Sequence, residues 1–234
     1  MKVNEQIAKV GAYHRILYKV GWVLIGIGLV DIGIKVYCIY TQTGYSSSFN
    51  IFAVIAGIFL FRGSLTAARI VSWFAAFFIA AFTGILIVMP FLLPFDLVVI
   101  YIRLVPVRAL ATIVFIPIIL AILVWIYRNL TSTIVREAMD RARINRASFW
   151  RNPDRGFWVG ACLPLILAVF LKLFMGGNTG DEARKRAADQ VGGGYTFYVK
   201  SLNMSSGSGG KHVHAVVIAY NDHEIREIIV EWLQ

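Results

Sequence analysis

Apolar residues in the first three-quarters of the chain gather into long runs separated by short polar stretches. A helix needs about 20 mostly apolar residues to cross a hydrocarbon core of roughly 30 Å. Five segments carry that pattern: 19–40, 45–61, 70–93, 108–127 and 157–174. Segment 45–61 is the weakest, because its apolar part runs only from Phe49 to Phe61 and it borrows Ser46, Ser47 and Ser48 for length. Dropping it leaves four spans and brings both chain ends to one side.

The polar stretches carry unequal charge. Lys2, Lys9, Arg15 and Lys19 precede the first span, and Arg62 and Arg69 lie between the second and third. Seven arginines from Arg128 to Arg155 lie between the fourth and fifth, whereas the alternate loops hold only Arg103 and Arg108. Cytoplasmic loops are enriched in Lys and Arg. The pattern therefore assigns residues 1–18 to the cytoplasm, 19–174 to a transmembrane bundle of about five helices, and the tail 175–234 to the outside.

Composition points the same way. The chain is 58% hydrophobic and 15% charged, with mean hydropathy +0.69, against about 45–50% and 25% in soluble domains. The net charge of +10 is distributed by segment rather than along one exposed face, which argues against a nucleic-acid partner. The first apolar run is too long and too charged for the core of a cleavable signal, so it is expected to stay as an anchor. The expected location is a cell membrane of the bacterial inner-membrane kind, crossed several times.

The inner stretch 128–156 reads as a helix continuing from the fourth span, with Ile134, Ala138, Met139 and Ala142 at helical spacing. Its arginines Arg136, Arg141, Arg143, Arg146, Arg151 and Arg155 predict a cytoplasmic basic surface for anionic headgroups. On the other side, "MPFLLPFDLVVIYIRLVPVR" holds Pro90, Pro94 and Pro106, which break helices. The oily residues between them predict a membrane-embedded hairpin or a surface-lying segment. Pro117 and Pro164 predict kinks inside the fourth and fifth spans.

Past residue 174 the pattern changes. Gly176, Gly177 and Gly180 predict a hinge. Thr179 and Glu182 then predict a capping box for a helix that stops at Gly192–Gly194. Its apolar face, Ala183, Ala187 and Val191, is that of a spacer with little to bury. "YTFYVKSLNM" and "KHVHAVVIAY" alternate like strands around "SSGSGG". A two-residue turn at Asn221-Asp222 would pair "HEIREIIVEWL" as a third strand, with Val213, Val217 and Ala219 sharing a face with Ile228, Val230 and Trp232. The fold class is thus an all-α transmembrane bundle with a small C-terminal α+β module. About 40 structured residues without a disulfide form an undersized domain. The module should therefore rest on the outer loops, on a second copy or on another envelope protein, with Tyr198 and Trp232 facing that partner.

Candidate chemistry is sparse. Asp31 and Lys35 sit one turn apart within the first span, so they can neutralise each other, and Gly26, Gly28 and Gly33 around them permit close helix packing. A structural pair, an ion or proton relay and a recognition pair for another membrane subunit are the three readings. No other acidic residue lies in a span, so a relay would lack a second carboxylate. His212, His214 and Glu231 would meet on one sheet face in the two-residue-turn pairing, where two imidazoles and a carboxylate can hold Zn or Cu. A solvated or partner-facing surface is the plainer reading. Cys38 and Cys162 lie at opposite ends of their spans, too far apart for a disulfide. The common catalytic motifs G-x-x-x-x-G-K-[ST], G-x-S-x-G, H-E-x-x-H and C-x-x-C do not occur. No cofactor is implied. The expectation is a non-enzymatic accessory, assembly or sensing component whose outer module docks on a membrane or envelope protein, or on another copy of itself. The alternative is a small transporter or channel subunit using Asp31 and Lys35.

Overall fold

The computed structural model describes residues 2–42, 50–142, 153–175, 177–207 and 210–233. In these residues, helices α1 (Lys2–Tyr40), α2 (Asn50–Phe61), α3 (Leu65–Leu92), α4 (Phe95–Leu104), α5 (Pro106–Leu130), α6 (Thr133–Arg141), α7 (Pro153–Met175) and α8 (Asn178–Val191) precede three strands. The strands β1 (Thr196–Gly207), β2 (Gly210–Tyr220) and β3 (Ile225–Leu233) form one antiparallel sheet in that order. Four helices, at Gly11–Tyr40, Leu65–Leu92, Ile113–Leu130 and Pro153–Leu173, are long and apolar enough to cross a membrane. The expected second span falls short of that set. Residues 43–49 lie outside the described residues, and α2 alone has 12 residues, about 18 Å of helix.

The chain divides into two compact units, the first made of Met1–Phe82 and Ile119–Ala161. Its core joins Leu17 and Val20 of α1, Leu60 of α2, Ala68, Val71 and Ala75 of α3, Ile126 and Leu130 of α5, and Val135 and Met139 of α6. Helix α2 runs back along α1. A Cβ added to Gly21 would lie 2.9 Å from the Gly57 carbonyl oxygen, and one added to Gly63 would overlap the His14 imidazole. Gly63 takes φ 78°, and Ser64 N–H reaches Phe59 O at 3.1 Å, so α2 closes in a left-handed glycine cap. Ser64 then caps α3, its Oγ accepting from Ala67 N–H at 3.3 Å.

The helix expected over 128–156 does not continue from α5. Thr131 and Ser132 interrupt it, and α6 restarts in a new phase. Its buried positions are therefore Val135 and Met139, while Ile134 and Ala142 of the expected stripe are exposed. That face is covered by protein, since Val135 and Met139 belong to the core with Leu17 and Val20. Arg143, Arg146 and Arg151 lie outside the described residues.

The second unit is Thr83–Ile118 with Cys162–Gln234. Pro90 does not stop α3 at once, because the helix runs on to Leu92. Pro94 caps α4 and Pro106 opens α5, where a missing amide proton costs nothing. Helix α8 starts at Gly177, with no side-chain cap. The Thr179–Glu182 capping box does not form, because Glu182 Oε1 accepts from Arg186 Nη2 at 2.7 Å instead. Gly180 sits inside α8, buried, rather than in a hinge, and Gly176 lies outside the described residues. Far from being a spacer, α8 covers one sheet face. Ala183 and Ala187 are fully buried against Val199, Leu202, Val213, Val217, Ile228, Val230 and Trp232.

The third strand pairs as expected in face but not in register. Val217 lies opposite Ile228 and Tyr220 opposite Ile225, so the loop is four residues long, Asn221–Glu224. Asn221 Oδ1 accepts from the amides of His223 and Glu224, both at 2.9 Å, which closes the longer loop. A slip of two residues keeps every side chain on its face, because the strand period is two.

Candidate functional site

The C-terminal module has two cores. On one side of the sheet lies the α8 interface. On the other, Tyr220 packs with Leu97 and Ile100 of α4, with Tyr198, Ile218 and Ile225 around them. Of the supports foreseen for this module, the chain itself supplies one, the segment between α3 and α5. Tyr198 is accordingly half-buried at the α4 interface. Trp232 is 7% exposed in the α8 core, with the Arg186 guanidinium 5.2 Å from its ring centre. Trp232 presents no free partner-facing surface, because it fills the α8 core, and Tyr198 packs partly against the α4 cluster.

The loop after β2 is locked by charge. Tyr195 donates to Glu224 Oε1, and Arg226 Nε donates to Glu224 Oε2 at 2.9 Å. The Tyr195 hydroxyl, and then Arg226, hold the Glu224 carboxyl below its ordinary value. The same bond to Glu224 pushes Tyr195 up, while burial against the α4 side raises Tyr198 and Tyr220.

His214, not His212, lies opposite Glu231, with Nε2 3.5 Å from Oε1. His212 lies opposite Leu233. The four-residue loop causes this change, since it moves β3 by two positions along β2. Among the described residues no three His, Cys, Asp or Glu side chains converge as a metal site, so the expected His212–His214–Glu231 set is not assembled. The two histidines and Glu231 instead line a shallow hollow with Asn203, Met204 and Ser205.

In α1, Asp31 and Lys35 extend a seam. Leu17, Gly21, Leu24, Gly28, Asp31 and Lys35 follow alternating spacings of four and three, so they share one face. Leu17, Gly21 and Gly28 on that face are buried, and Asp31 is half-buried. Gly26 and Gly33 face open space, whereas Gly21 and Gly57 make the close approach. Of the glycines expected to pack, Gly28 is buried on this seam and Gly26 and Gly33 are not, while the tight contact is made by Gly21 and Gly57. The motif reading missed them because Gly57 is remote in sequence from α1.

The basic residues gather at one end of the first unit. Arg136, Arg141 and Arg155 are exposed, and Arg141 Nη2 pairs with Glu137 Oε2 at 3.1 Å. Beside them Arg69, 8% exposed, lines a cavity of about 230 Å³ with Ser72, Thr131, Arg136, Asp140 and Asp154. Two guanidiniums and two carboxylates there balance in charge. The sequence places Arg69 ahead of the expected third span, whereas α3 begins at Leu65 and carries it one turn inside the helix.

No protein-family model, no curated protein and no solved structure matches the chain.

Proposed function

We propose that the chain is a multi-pass membrane protein acting as a non-enzymatic accessory, assembly or sensing component, with its C-terminal sheet as an outer docking module. Support for the membrane part comes from where the apolar side chains point. Only 6%, 28%, 11% and 17% of the four apolar windows are buried, and Val36, Phe115, Ile166 and Leu173 are each more than 60% exposed. In water each such side chain would forgo ~1.5–3 kcal/mol of burial. Along α1, exposed Trp22 and Tyr40 are eighteen residues apart, about 27 Å of helix, as interfacial aromatic belts require.

The packing of α2 favours an odd number of crossings. Although short, α2 brings the chain back to the basic end of α1, where Gly63 meets His14. The same core gathers the starts and ends of α3, α5 and α6 there. With that end cytoplasmic, the chain re-enters the membrane through α7 and leaves its tail outside.

The observation that carries docking is the open half of the second sheet face. Beyond α4, Ile229 and Leu233 are each 58% exposed, beside His214 and Glu231. A photocrosslinking residue at Ile229 in the membrane-inserted full chain should capture one defined protein. Recovery of uncrosslinked chain alone overturns the docking reading. A second reading, ion or proton transfer, draws on the half-buried Asp31 in the α1 seam. Asp31→Asn with Lys35→Met abolishes transport if that reading holds and spares function if the pair only packs.

A further inference from the structure

Helix α4 has two apolar faces, and among the described residues only one of them is buried by protein. At 100° per residue, Leu97 and Ile100 point to one side, where Tyr220 covers them. Phe95, Val99 and Ile102 point to the opposite side and are 75%, 40% and 43% exposed. Asp96 and Arg103 lie together on the edge between these faces. Ten residues make α4 about 15 Å long, half of what a crossing needs.

The connections at its two ends say what the open face meets. Only Leu93 and Pro94 separate α4 from α3, and only Val105 separates it from α5. Both neighbours are apolar rods, and their nearest turns are exposed as well, Phe91 at 78%, Val107 at 79% and Leu110 at 62%. A helix joined so closely to two spans cannot rise clear of the bilayer edge. We infer that α4 lies in the outer leaflet with Phe95, Val99 and Ile102 among the acyl chains, and that its opposite face carries the C-terminal sheet. The occupant is lipid. Asp96 and Arg103 reach the headgroup level, as the polar edge of an interfacial helix does. The sheet is thereby seated on the membrane surface at its Tyr220 end, rather than held on a free tether. This inference rests on the membrane reading above.

The test uses the full chain carrying Cys38→Ser and Cys162→Ser, with single cysteines in place of Val99, Ile102, Ile85 or Glu231. Each is labelled with an environment-sensitive fluorophore in phosphatidylcholine–phosphatidylglycerol vesicles. Labels at 99 and 102 should lose fluorescence to a lipid spin-labelled near the headgroup. The label at 85, within α3, should lose it to a lipid labelled deep in the chain, and the label at 231 should respond only to aqueous iodide. Iodide quenching at 99 and 102 with lipid quenching retained at 85 overturns the α4 assignment and leaves the membrane reading intact. Protection of 99 and 102 from both quenchers means protein covers the face, and also overturns it. Iodide quenching at 85 overturns the membrane reading itself. Two labelled positions on the face keep one misfolded variant from deciding the result.

Discussion

Gly21 and Gly57 meet backbone to backbone. A Cβ on Gly57 would lie 2.8 Å from the Gly21 carbonyl oxygen and 2.7 Å from Ile25 Cγ1, so neither helix has room for a methyl group. This contact, and not Gly26 or Gly33, sets how closely α1 and α2 approach.

Gly57→Leu should therefore destabilise the first unit by about 1–3 kcal/mol through overpacking. Gly26→Ala and Gly33→Ala, which meet open space, should leave stability unchanged or raise it by up to ~1 kcal/mol, through helix propensity. Thermal unfolding in mild detergent compares the three. Equal losses would mean that the glycine pair is not the contact point.

Leu97→Ala should loosen the sheet from α4 at a cost of about 2 kcal/mol or more, the lower range for a buried leucine. The α8 core does not include Leu97, so the loss is local. Hydrogen exchange should quicken over α4 and around Tyr220–Ile225 while the centre of β2 stays protected. Uniform quickening across the sheet would show that the two cores act as one.

Acid should open the loop after β2. The Tyr195 hydroxyl and Arg226 lower the folded-state value of Glu224 below 4.5. The carboxylate's contribution is therefore complete above the unfolded value and is lost as pH falls through the folded one. Tail stability should decline below about pH 4.5, the unperturbed glutamate region. Glu224→Gln should be less stable at neutral pH and should flatten that decline. An unchanged slope would remove Glu224 as its cause.

Trp232→Ala should cost about 3–5 kcal/mol, as expected for emptying a buried aromatic site. Ile229→Ser, on the exposed side of the same strand, should change stability by no more than ~0.5 kcal/mol. Chemical unfolding of the tail separates them. Similar values would mean that the α8 face is not the principal core of the module.

Periodicity made most elements legible in the sequence. The long helices follow from uninterrupted apolar runs, and the faces of β2 and β3 follow from strict alternation. Local competition was harder to read. Glu182 had a choice between capping α8 and pairing with Arg186, and the ion pair is what forms. The register of β3 depended on whether Asn221 would fold its side chain onto the next two amides, a detail that strand patterning does not encode. The contact of Leu97 with Tyr220 joins positions more than a hundred residues apart, and no local pattern announces it. Trp232 looked like a surface anchor only because the small alanines of α8 concealed how closely that helix approaches the sheet.

One residue of β1 stands outside the ladder. Val199 pairs with Val217 and Ser201 with Val216, leaving Lys200 as a bulge. It acts as a frameshift in the side-chain alternation: Phe197 and Val199 use odd numbers to face α8, and Leu202 uses an even one. Were Lys200 paired in a regular ladder, Ser201 would fall opposite Ala215 on the α8 face and Leu202 would turn outward opposite His214. The hydrophobic layer of β1 is continuous only because the strand loses count once.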